Sequence, residues 1–397
     1  MDEMVASSPI QKHPWWVKER DYKDPTVPID WPKIPQVTGA NHTPTTYRPR
    51  PTLTAQERFA MGVPGGSAGS WATPDEAKLL FERMKEEFPG WEPGWAGMGD
   101  NRSTALFMAT KYMRMGSFPG EINNNGTRFN VAATLAKAGG PAGFTGGFLG
   151  PRSGETLRPQ MFGVPRWEGT PEEGLRTMLS VVRFFGGSDV GSFKIDTDLR
   201  KLWHTKSGAK DVVIEDVVDP YETSAKQVIP SSFQNAFTWT ARQSFEKTRR
   251  QAGEYEAEAV YWAYQRFPFV GGLLQEFVFA LGYQMIYPPN HSNPTSVMSG
   301  MGEHGRMSSP TITPVYGATH RAMWTMITDL PLASTNPIDA GIYKFCKTCG
   351  ICADLCPFGI IQKGDPTWEA DTGVALGSRP GFLGWRTNTP NCPHCPT

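Results

Sequence analysis

The stretch Cys346-Lys-Thr-Cys349-Gly-Ile-Cys352-Ala-Asp-Leu-Cys356-Pro357 decides how the last part of this chain folds. Its spacing is C-x2-C-x2-C-x3-C-P, with which bacterial ferredoxins ligate 4Fe–4S clusters. Zinc prefers two separated C-x2-C pairs, and four cysteines so close together rarely form disulfides. The spacing therefore predicts an iron–sulfur site, with Cys346, Cys349 and Cys352 on one cluster and Cys356 on a second.

A second cysteine pair, Cys392-Pro-His-Cys395, lies just before the last residue, Thr397. A repeat of the first spacing needs its next cysteine one position beyond Thr397, so we expect the printed chain to stop inside the second motif. Cys356 then joins Cys392 and Cys395 on the second cluster, and each cluster lacks one ligand. A zinc knuckle or solvent-exposed thiols are the alternatives for this pair.

Composition narrows the class of protein. The 397 residues are 39% hydrophobic, which is enough for two domains and a sizeable core. Basic and acidic residues number 39 each, and this balance argues against nucleic acid as a partner. All six cysteines lie in the last part of the chain, so metal binding is favoured over disulfides. No apolar run is long enough to span a bilayer, and no secretory or twin-arginine pattern opens the chain.

The residues before the cysteine run predict a mixture of helices and strands. The first 70 or so residues are Pro-rich and predict an extended arm, with Trp15 and Trp16 packed against a domain. Helix-start signals or long helical runs mark 73–88, 103–116, 170–185, 254–281 and the region from His320 onward. Alternating β-branched and aromatic residues predict strands at 191–195, 211–218 and 235–241. Pro268 and the glycine pair after it predict a kink or break in the long helix, and residues 287–306 predict loops.

An ordered series of short motifs runs from residue 220 to the cysteines. In chain order it comprises Tyr221-Glu222-Thr223, Tyr261-x-x-Tyr264, Leu281-Gly282-Tyr283 followed by Asn290, Gly300-Met301-Gly302-Glu303, Thr313-Pro314-Val315-Tyr316-Gly317, Asp329-Leu330-Pro331-Leu332 and Pro337-Ile338-Asp339-Ala340-Gly341. In their order and spacing these motifs resemble the respiratory reductive dehalogenases, enzymes that remove halogen from organohalides with a corrinoid and two 4Fe–4S clusters. A double Trp near the N-terminus is also found in members of that family.

The resemblance implies an α/β (α+β) fold with two functional parts. It implies an N-terminal arm and helices at 1–115, a nitroreductase-like corrinoid-binding core at 116–335, and a ferredoxin-like two-cluster domain at 336–397. The family lacks the D-x-H-x-x-G motif that supplies a lower histidine ligand to cobalt in many corrinoid proteins, and no histidine here fits that motif. The resemblance therefore implies a base-off corrinoid. The residues Ser299, Gly300, Met301 and Gly302 suit close approach of the backbone to a corrin, although glycine also makes ordinary turns.

Location and partners follow from the same resemblance. Family members are exported with a twin-arginine signal and held on the outer face of the cytoplasmic membrane by a small membrane-anchor protein. The resemblance thus implies a mature form without its signal, a membrane-derived electron donor and no nucleic-acid partner.

By motif position, Tyr264 resembles the family's proton donor. A phenol with an ordinary pKa of about 10 is a weak acid at neutral pH, and a nearby cation helps by stabilising the phenolate. Arg321 stands at the position of that cation, Asn290 at that of a pocket amide and Trp385 at that of a pocket-wall aromatic, while Tyr261 shares the helix face of Tyr264. The plainer interpretations are a core tyrosine, a surface charge, a turn former and a packing tryptophan. No role follows for His320.

Three functions remain open at the level of sequence. The first is a corrinoid–iron–sulfur reductive dehalogenase for a small organohalide, with chlorinated alkanes or alkenes favoured. The second is the related cobalamin-dependent epoxyqueuosine reductase of tRNA, which needs a basic face. The third is a non-enzymatic iron–sulfur electron carrier, which leaves most of the chain before Cys346 unexplained.

Overall fold

A computed structural model of the chain describes residues 2–7, 12–38, 147–150, 158–249, 254–308, 311–356, 359–369 and 379–387. The predicted helices 73–88 and 103–116 lie outside the described residues, as do Cys392 and Cys395. The helices are α1 Asp2–Ser7, α2 Pro171–Phe184, α3 Phe245–Thr248, α4 Glu254–Ala280, α5 Ser292–Met298, α6 Ile342–Cys349 and α7 Ile351–Leu355. Short 3-10 turns lie at Trp31–Lys33, Pro159–Phe162 and Leu199–Leu202.

Ten strands form three sheets in this part of the chain. The strands are β1 Lys18–Glu19, β2 Val190–Lys194, β3 Lys206–Ser207, β4 Lys210–Glu215, β5 Tyr221–Glu222, β6 Lys226–Pro230, β7 Asn235–Arg242, β8 Met285–Ile286, β9 His320–Thr328 and β10 Ile338–Asp339. The central sheet has the order β2-β7-β9-β8 and is antiparallel throughout. A second sheet, β3-β4-β6-β5, contains one parallel pair, β4 with β6. The prediction of a mixed α/β fold is confirmed.

The central sheet is covered on both faces. One face packs against α2 and α4 through a core that includes Met178, Trp239 and Leu274. Another core contains Phe193 and Ile327, and it joins the sheet to α5 and to the second sheet. Because both faces are buried, the middle strands β7 and β9 read as nearly continuous buried runs rather than as an alternation.

Several predicted elements appear where the sequence indicated them. Helix α2 begins with a capping box in which Glu173 N donates to Thr170 Oγ1 at 3.2 Å and Thr170 N donates to Glu173 Oε2 at 2.7 Å. Strands β2 and β7 match the predicted strands 191–195 and 235–241 closely. Gly282, with φ of +90°, ends the turn after α4 as expected for a glycine at a helix C-terminus.

Three local predictions are wrong. The region from His320 onward is the strand β9 rather than a helix, because its residues fill a central strand between β7 and β8. Helix α4 is not broken at Pro268, since packing of its buried face against the sheet outweighs the loss of one backbone hydrogen bond, and the alternative of a kink there stays a prediction. The predicted loop at 287–306 contains α5.

Residues 12–38, the described part of the predicted N-terminal arm, lie over the domain as predicted, but the tryptophan pair within them does not pack. Tyr22 Oη donates to Lys194 O at 2.6 Å, β1 pairs with β10, and Thr26 Oγ1 donates to Glu303, so this part of the arm is tied to the body at several places. Trp15 and Trp16 are 92% and 51% exposed and contact each other edge-on at 5.9 Å. In the described ranges no helix is both long and apolar enough to cross a membrane.

Candidate active site and cysteine region

Tyr264 and Arg321 meet where α4 crosses β9. Tyr264 is half-buried on α4, and the guanidinium carbon of Arg321, near the start of β9, lies 6.0 Å from the centroid of its ring. The same ring packs edge-on against Trp324 at 6.4 Å. The two residues are distant in sequence, and the fold brings phenol and cation within the range of a cation–π contact.

An aromatic wall surrounds this pair. The Trp324 ring stacks on Phe267 at 4.5 Å and lies 4.7 Å from Trp239, while Phe267 packs on Tyr287 at 4.7 Å. Burial raises the pKa of Tyr287, and the nearby Tyr264 adds to the rise because a second phenolate close by is unfavourable. The wall thus disfavours charge on Tyr287, while Arg321 places a positive charge beside Tyr264.

Asn290 is fixed to the strand that carries Arg321. Its Nδ2 donates to Thr325 O at 2.8 Å and to Pro288 O at 3.0 Å. Its buried Oδ1 has no hydrogen-bond partner among the described residues. One end of the amide is therefore structural, and the other offers an acceptor for a bound group.

The remaining predicted pocket residues differ in placement. Tyr261 lies one turn before Tyr264 on α4, and its side chain is outside the described part. Trp385 is fully buried against Tyr343 at 5.2 Å, and its Nε1 donates to Gly364 O at 2.9 Å. These contacts place Trp385 beside the cysteine helix, and none of its described contacts is with Tyr264.

The residues Ser299, Gly300, Met301 and Gly302 are all buried. A Cβ at Gly300, where φ is +70°, would lie 2.2 Å from Asn336 O, and one at Gly302 would lie 2.3 Å from Ile312 O. Both glycines are thus required by the protein's own backbone. Their predicted part in holding a cofactor stays a prediction.

The cysteine run folds into two short helices. Cys346 and Cys349 lie on α6, Gly350 turns the chain with φ of +74°, Cys352 lies on α7 and Cys356 follows it. All four are free thiols. Burial raises the pKa of Cys346 and of Cys352. Cys349 adds to the rise at Cys346, and both Cys346 and Cys349 add to it at Cys352.

A cluster and a single ion make different demands on such thiols. Within the described ranges no three His, Cys, Asp or Glu side chains converge closely enough to hold one metal ion. A cubane binds each thiolate through a different iron and so spaces its ligands more widely. Cys346, Cys349 and Cys352 therefore stay the predicted ligands of a cluster.

Glu303, in the loop after α5, was not singled out for a role by the sequence. It is fully buried, and its carboxylate accepts from Ala340 N at 2.7 Å, Ile342 N at 2.9 Å and Tyr343 N at 3.3 Å. Thr26 Oγ1 donates to it at 2.5 Å. A carboxylate here satisfies the free N–H groups at the start of α6 and complements the helix dipole.

Arg306, three residues later, was also missed. It is 4% exposed, and its guanidinium donates to Cys346 O at 2.7 Å, to Gly364 O at 2.7 Å and to Gln362 O at 3.2 Å. Its guanidinium carbon lies 4.8 Å from the centroid of the Trp385 ring. The partners of Arg306 lie about 40 to 60 positions away in the sequence, so its buried role is visible only in the folded structure.

His320 has a structural place. It is fully buried, with Nε2 2.7 Å from Thr311 O and Nδ1 3.4 Å from Thr240 Oγ1. Burial lowers its pKa to about 4, with the charge of Arg321 adding to the effect and the contact with Thr311 opposing it. The neutral imidazole is therefore the form that joins β9 to its neighbours.

Comparison with known proteins agrees with the resemblance. The sequence model of a family described as "Reductive dehalogenase subunit" matches residues 129–332. A chloroethene reductive dehalogenase of Dehalococcoides mccartyi strain VS is 31% identical over 432 aligned positions, covering 99% of this chain and 79% of that protein. A trichloroethene reductive dehalogenase from another strain of that species is 30% identical, covering 97% and 76%.

A solved structure shares the fold at lower identity. It is described as a reductive dehalogenase structure that suggests a mechanism for B12-dependent dehalogenation. The TM-score is 0.50 and the identity 16%, over 95% of this chain and 41% of that one. This chain therefore spans less than half the length of the solved protein.

The chain belongs to the reductive dehalogenase family, whose members are enzymes that remove halogen from organohalides. Of the three functions considered, this finding confirms the reductive dehalogenase, while the iron–sulfur clusters and the proton donor stay predictions. The curated relatives are described neither as tRNA-modifying enzymes nor as electron carriers.

Proposed function

We propose that this protein replaces a chlorine by hydrogen in a small chlorinated ethene. The observation that carries the proposal is the pairing of Tyr264 with Arg321 against an aromatic wall. Two relatives that align with nearly the whole chain are described as acting on chloroethene and trichloroethene. A small apolar substrate suits rings such as Trp324 and Phe267, which offer apolar surface and few polar groups.

The proposed reaction consumes two electrons and one proton and releases chloride. Tyr264 supplies the proton from its hydroxyl to the carbon that loses chlorine. Arg321 stabilises the phenolate that remains, because an opposite charge nearby favours the ionised form. Trp324 and Phe267 exclude water, so the proton comes from Tyr264 rather than from solvent.

A base-off corrinoid and two 4Fe–4S clusters are the proposed cofactors. When bound, the corrinoid supplies a doubly reduced cobalt that delivers electrons to the carbon–halogen bond, and the clusters supply those electrons singly. The free acceptor Asn290 Oδ1 fits a group with amide donors at its rim, as a corrinoid has. Gly300 and Gly302 are less suited to contact a corrinoid, because the protein's own backbone already fills the space beside them.

The finer architecture and the setting are part of the same proposal. We assign a nitroreductase-like core to 116–335 and a ferredoxin-like cluster domain to 336–397, after an arm at 1–115. We further propose a place on the outer face of the cytoplasmic membrane, reached through the Tat pathway. There a small membrane-anchor protein and a membrane-derived electron donor are the expected partners.

The test is the Tyr264→Phe variant, purified without oxygen from cells supplied with corrinoid. Loss of the acid predicts that chloride release from trichloroethene falls about 10²- to 10⁴-fold while cobalt and iron contents stay unchanged. Tyr283→Phe is the matched control, since the Tyr283 hydroxyl donates to Trp167 O at 2.9 Å in the core beside α2 and α4. Full turnover by Tyr264→Phe with cofactors bound would remove this residue from the mechanism.

A further inference from the structure

Two buried charges, three residues apart in sequence, hold the cysteine helix α6 at its two ends. The Glu303 carboxylate accepts from Ile342 N and Tyr343 N in the first turn. The Arg306 guanidinium donates to Cys346 O and reaches Lys347 O at 3.5 Å, toward the other end. Each charge has the sign that complements its end of the helix dipole.

Glu303 is balanced where it lies, because backbone N–H groups and the Thr26 hydroxyl surround it. Arg306 is not balanced in the same way. Its described partners are carbonyl oxygens and the face of Trp385, and within the described residues no carboxylate lies within 4.0 Å to form an ion pair with it. A buried guanidinium without an opposite charge is costly.

The cysteine that Arg306 contacts is itself a predicted cluster ligand. Gly305 precedes Arg306 in the loop, and a Cβ there would lie 3.4 Å from Cys346 Sγ and 2.4 Å from Ile312 Cδ1. The loop therefore passes close over the thiol with no side chain between. A cubane held by thiolates is a net anion, and it becomes more negative by one charge on reduction.

We propose that Arg306 is the counter-charge of the iron–sulfur cluster bound by Cys346, Cys349 and Cys352, and that it raises the reduction potential of that cluster. This inference rests on the proposed cofactor set. A cation fixed in a dry site stabilises the reduced cluster more than the oxidised one, because the reduced cluster carries more negative charge. Arg306 is thus a positioning residue that also sets the energy of an electron-transfer step.

Arg306→Met and Arg306→Lys separate charge from position. Both variants lose the forked hydrogen bonds to Cys346 O and Gly364 O, so both should lower the melting temperature. Only Arg306→Met loses the charge. We expect it to weaken one-electron reduction of the cluster about tenfold, which is a shift of about 59 mV to lower potential. Arg306→Lys should keep most of the wild-type potential.

The measurement is a redox titration with dithionite, monitored by the paramagnetic resonance of the reduced clusters, on protein without substrate. Lys347→Met is the matched control, since Lys347 is an exposed cation on the same helix and water screens its charge. Its removal should shift the potential by far less than that of Arg306.

Three results would overturn the inference. The first is an unchanged potential in a folded, iron-loaded Arg306→Met protein. The second, decisive even if Arg306→Met fails to fold, is a full tenfold shift in Arg306→Lys, which keeps the charge. The third is a wild-type protein that binds no iron. A protein that shows the expected shift but releases no chloride would refute the proposed function and leave this inference standing.

Discussion

The cysteine helix and the Tyr264 site are held in different ways. Around α6 the restraints are polar and buried: Glu303 and Arg306 occupy the helix ends with hydrogen bonds to backbone groups. Around Tyr264 ring contacts are prominent, with Trp324 of the central sheet and Phe267 of α4 forming an apolar wall. The difference fits the chemistry, since a cluster brings charge that must be balanced, whereas an acid needs a dry surrounding that does not consume its proton.

The largest expected effect is on the aromatic side of this comparison. Trp324 is 6% exposed and contacts Trp239, Phe267 and Tyr264. Trp324→Ala should therefore leave a cavity in the core between the central sheet and helices α2 and α4. The free energy of unfolding should fall by about 3–5 kcal/mol, as measured from denaturant midpoints. Trp15→Ala, on the 92% exposed Trp15, is the control and should change it by less than about 0.5 kcal/mol. Equal effects would mean that no packed wall exists.

Around α6, the next largest effect on stability is expected from Glu303→Ala. The change leaves the buried N–H groups of Ala340, Ile342 and Tyr343 without their acceptor, so unfolding should become easier by about 3 kcal/mol. Glu303→Gln keeps an acceptor and should cost about half as much. Glu19→Ala, at an exposed carboxylate, is the control. A Glu303→Ala protein as stable as Glu19→Ala would show that the helix does not depend on this carboxylate.

Each region also contains a histidine with a lowered pKa, fully buried at His320 and partly buried at His304, and these predict the pH dependence. Burial lowers the pKa of His320, beside Arg321, and of His304, beside Glu303, to about 4 from the ordinary 6.5. Between those values the unfolded chain binds more protons than the folded one, so stability is lost as pH falls from 6.5 toward 4. Each histidine accounts for about 1.4 kcal/mol per pH unit in that window, or about 2 kcal/mol between pH 6.5 and 5.

Single substitutions by glutamine separate the two contributions. The free energy of unfolding is compared at pH 6.5 and 5 by denaturant melts. His320→Gln and His304→Gln should each reduce its dependence on pH by the amount that corresponds to about one bound proton. A wild-type slope in either variant would show that its histidine is already charged in the folded protein or is exposed to water.

The sequence predicted the parts of this molecule that local patterns specify. The capping box at Thr170 and Glu173 marks the start of α2, and the alternation at 191–195 and 235–241 marks β2 and β7. Tyr264 and Arg321 were paired through a family resemblance, and the fold places them 6.0 Å apart. Their catalytic roles stay predictions.

What the sequence missed depends on distant contacts. Strand β9 was predicted as a helix because a middle strand buried on both faces loses the alternation that identifies strands. The partners of Arg306 lie about 40 to 60 positions away, so no local pattern shows that it is buried. Trp385 is fixed beside α6 by a hydrogen bond to Gly364 and a contact with Tyr343, and its predicted place in the pocket wall stays a prediction.

The most direct test of the central claim is chloride release from trichloroethene by the anaerobically purified protein with a low-potential reductant. The account predicts one chloride for each less chlorinated ethene formed, from protein that carries about one cobalt and about eight iron per chain. No chloride from protein loaded to that level would contradict the claim that this chain is a chloroethene dehalogenase.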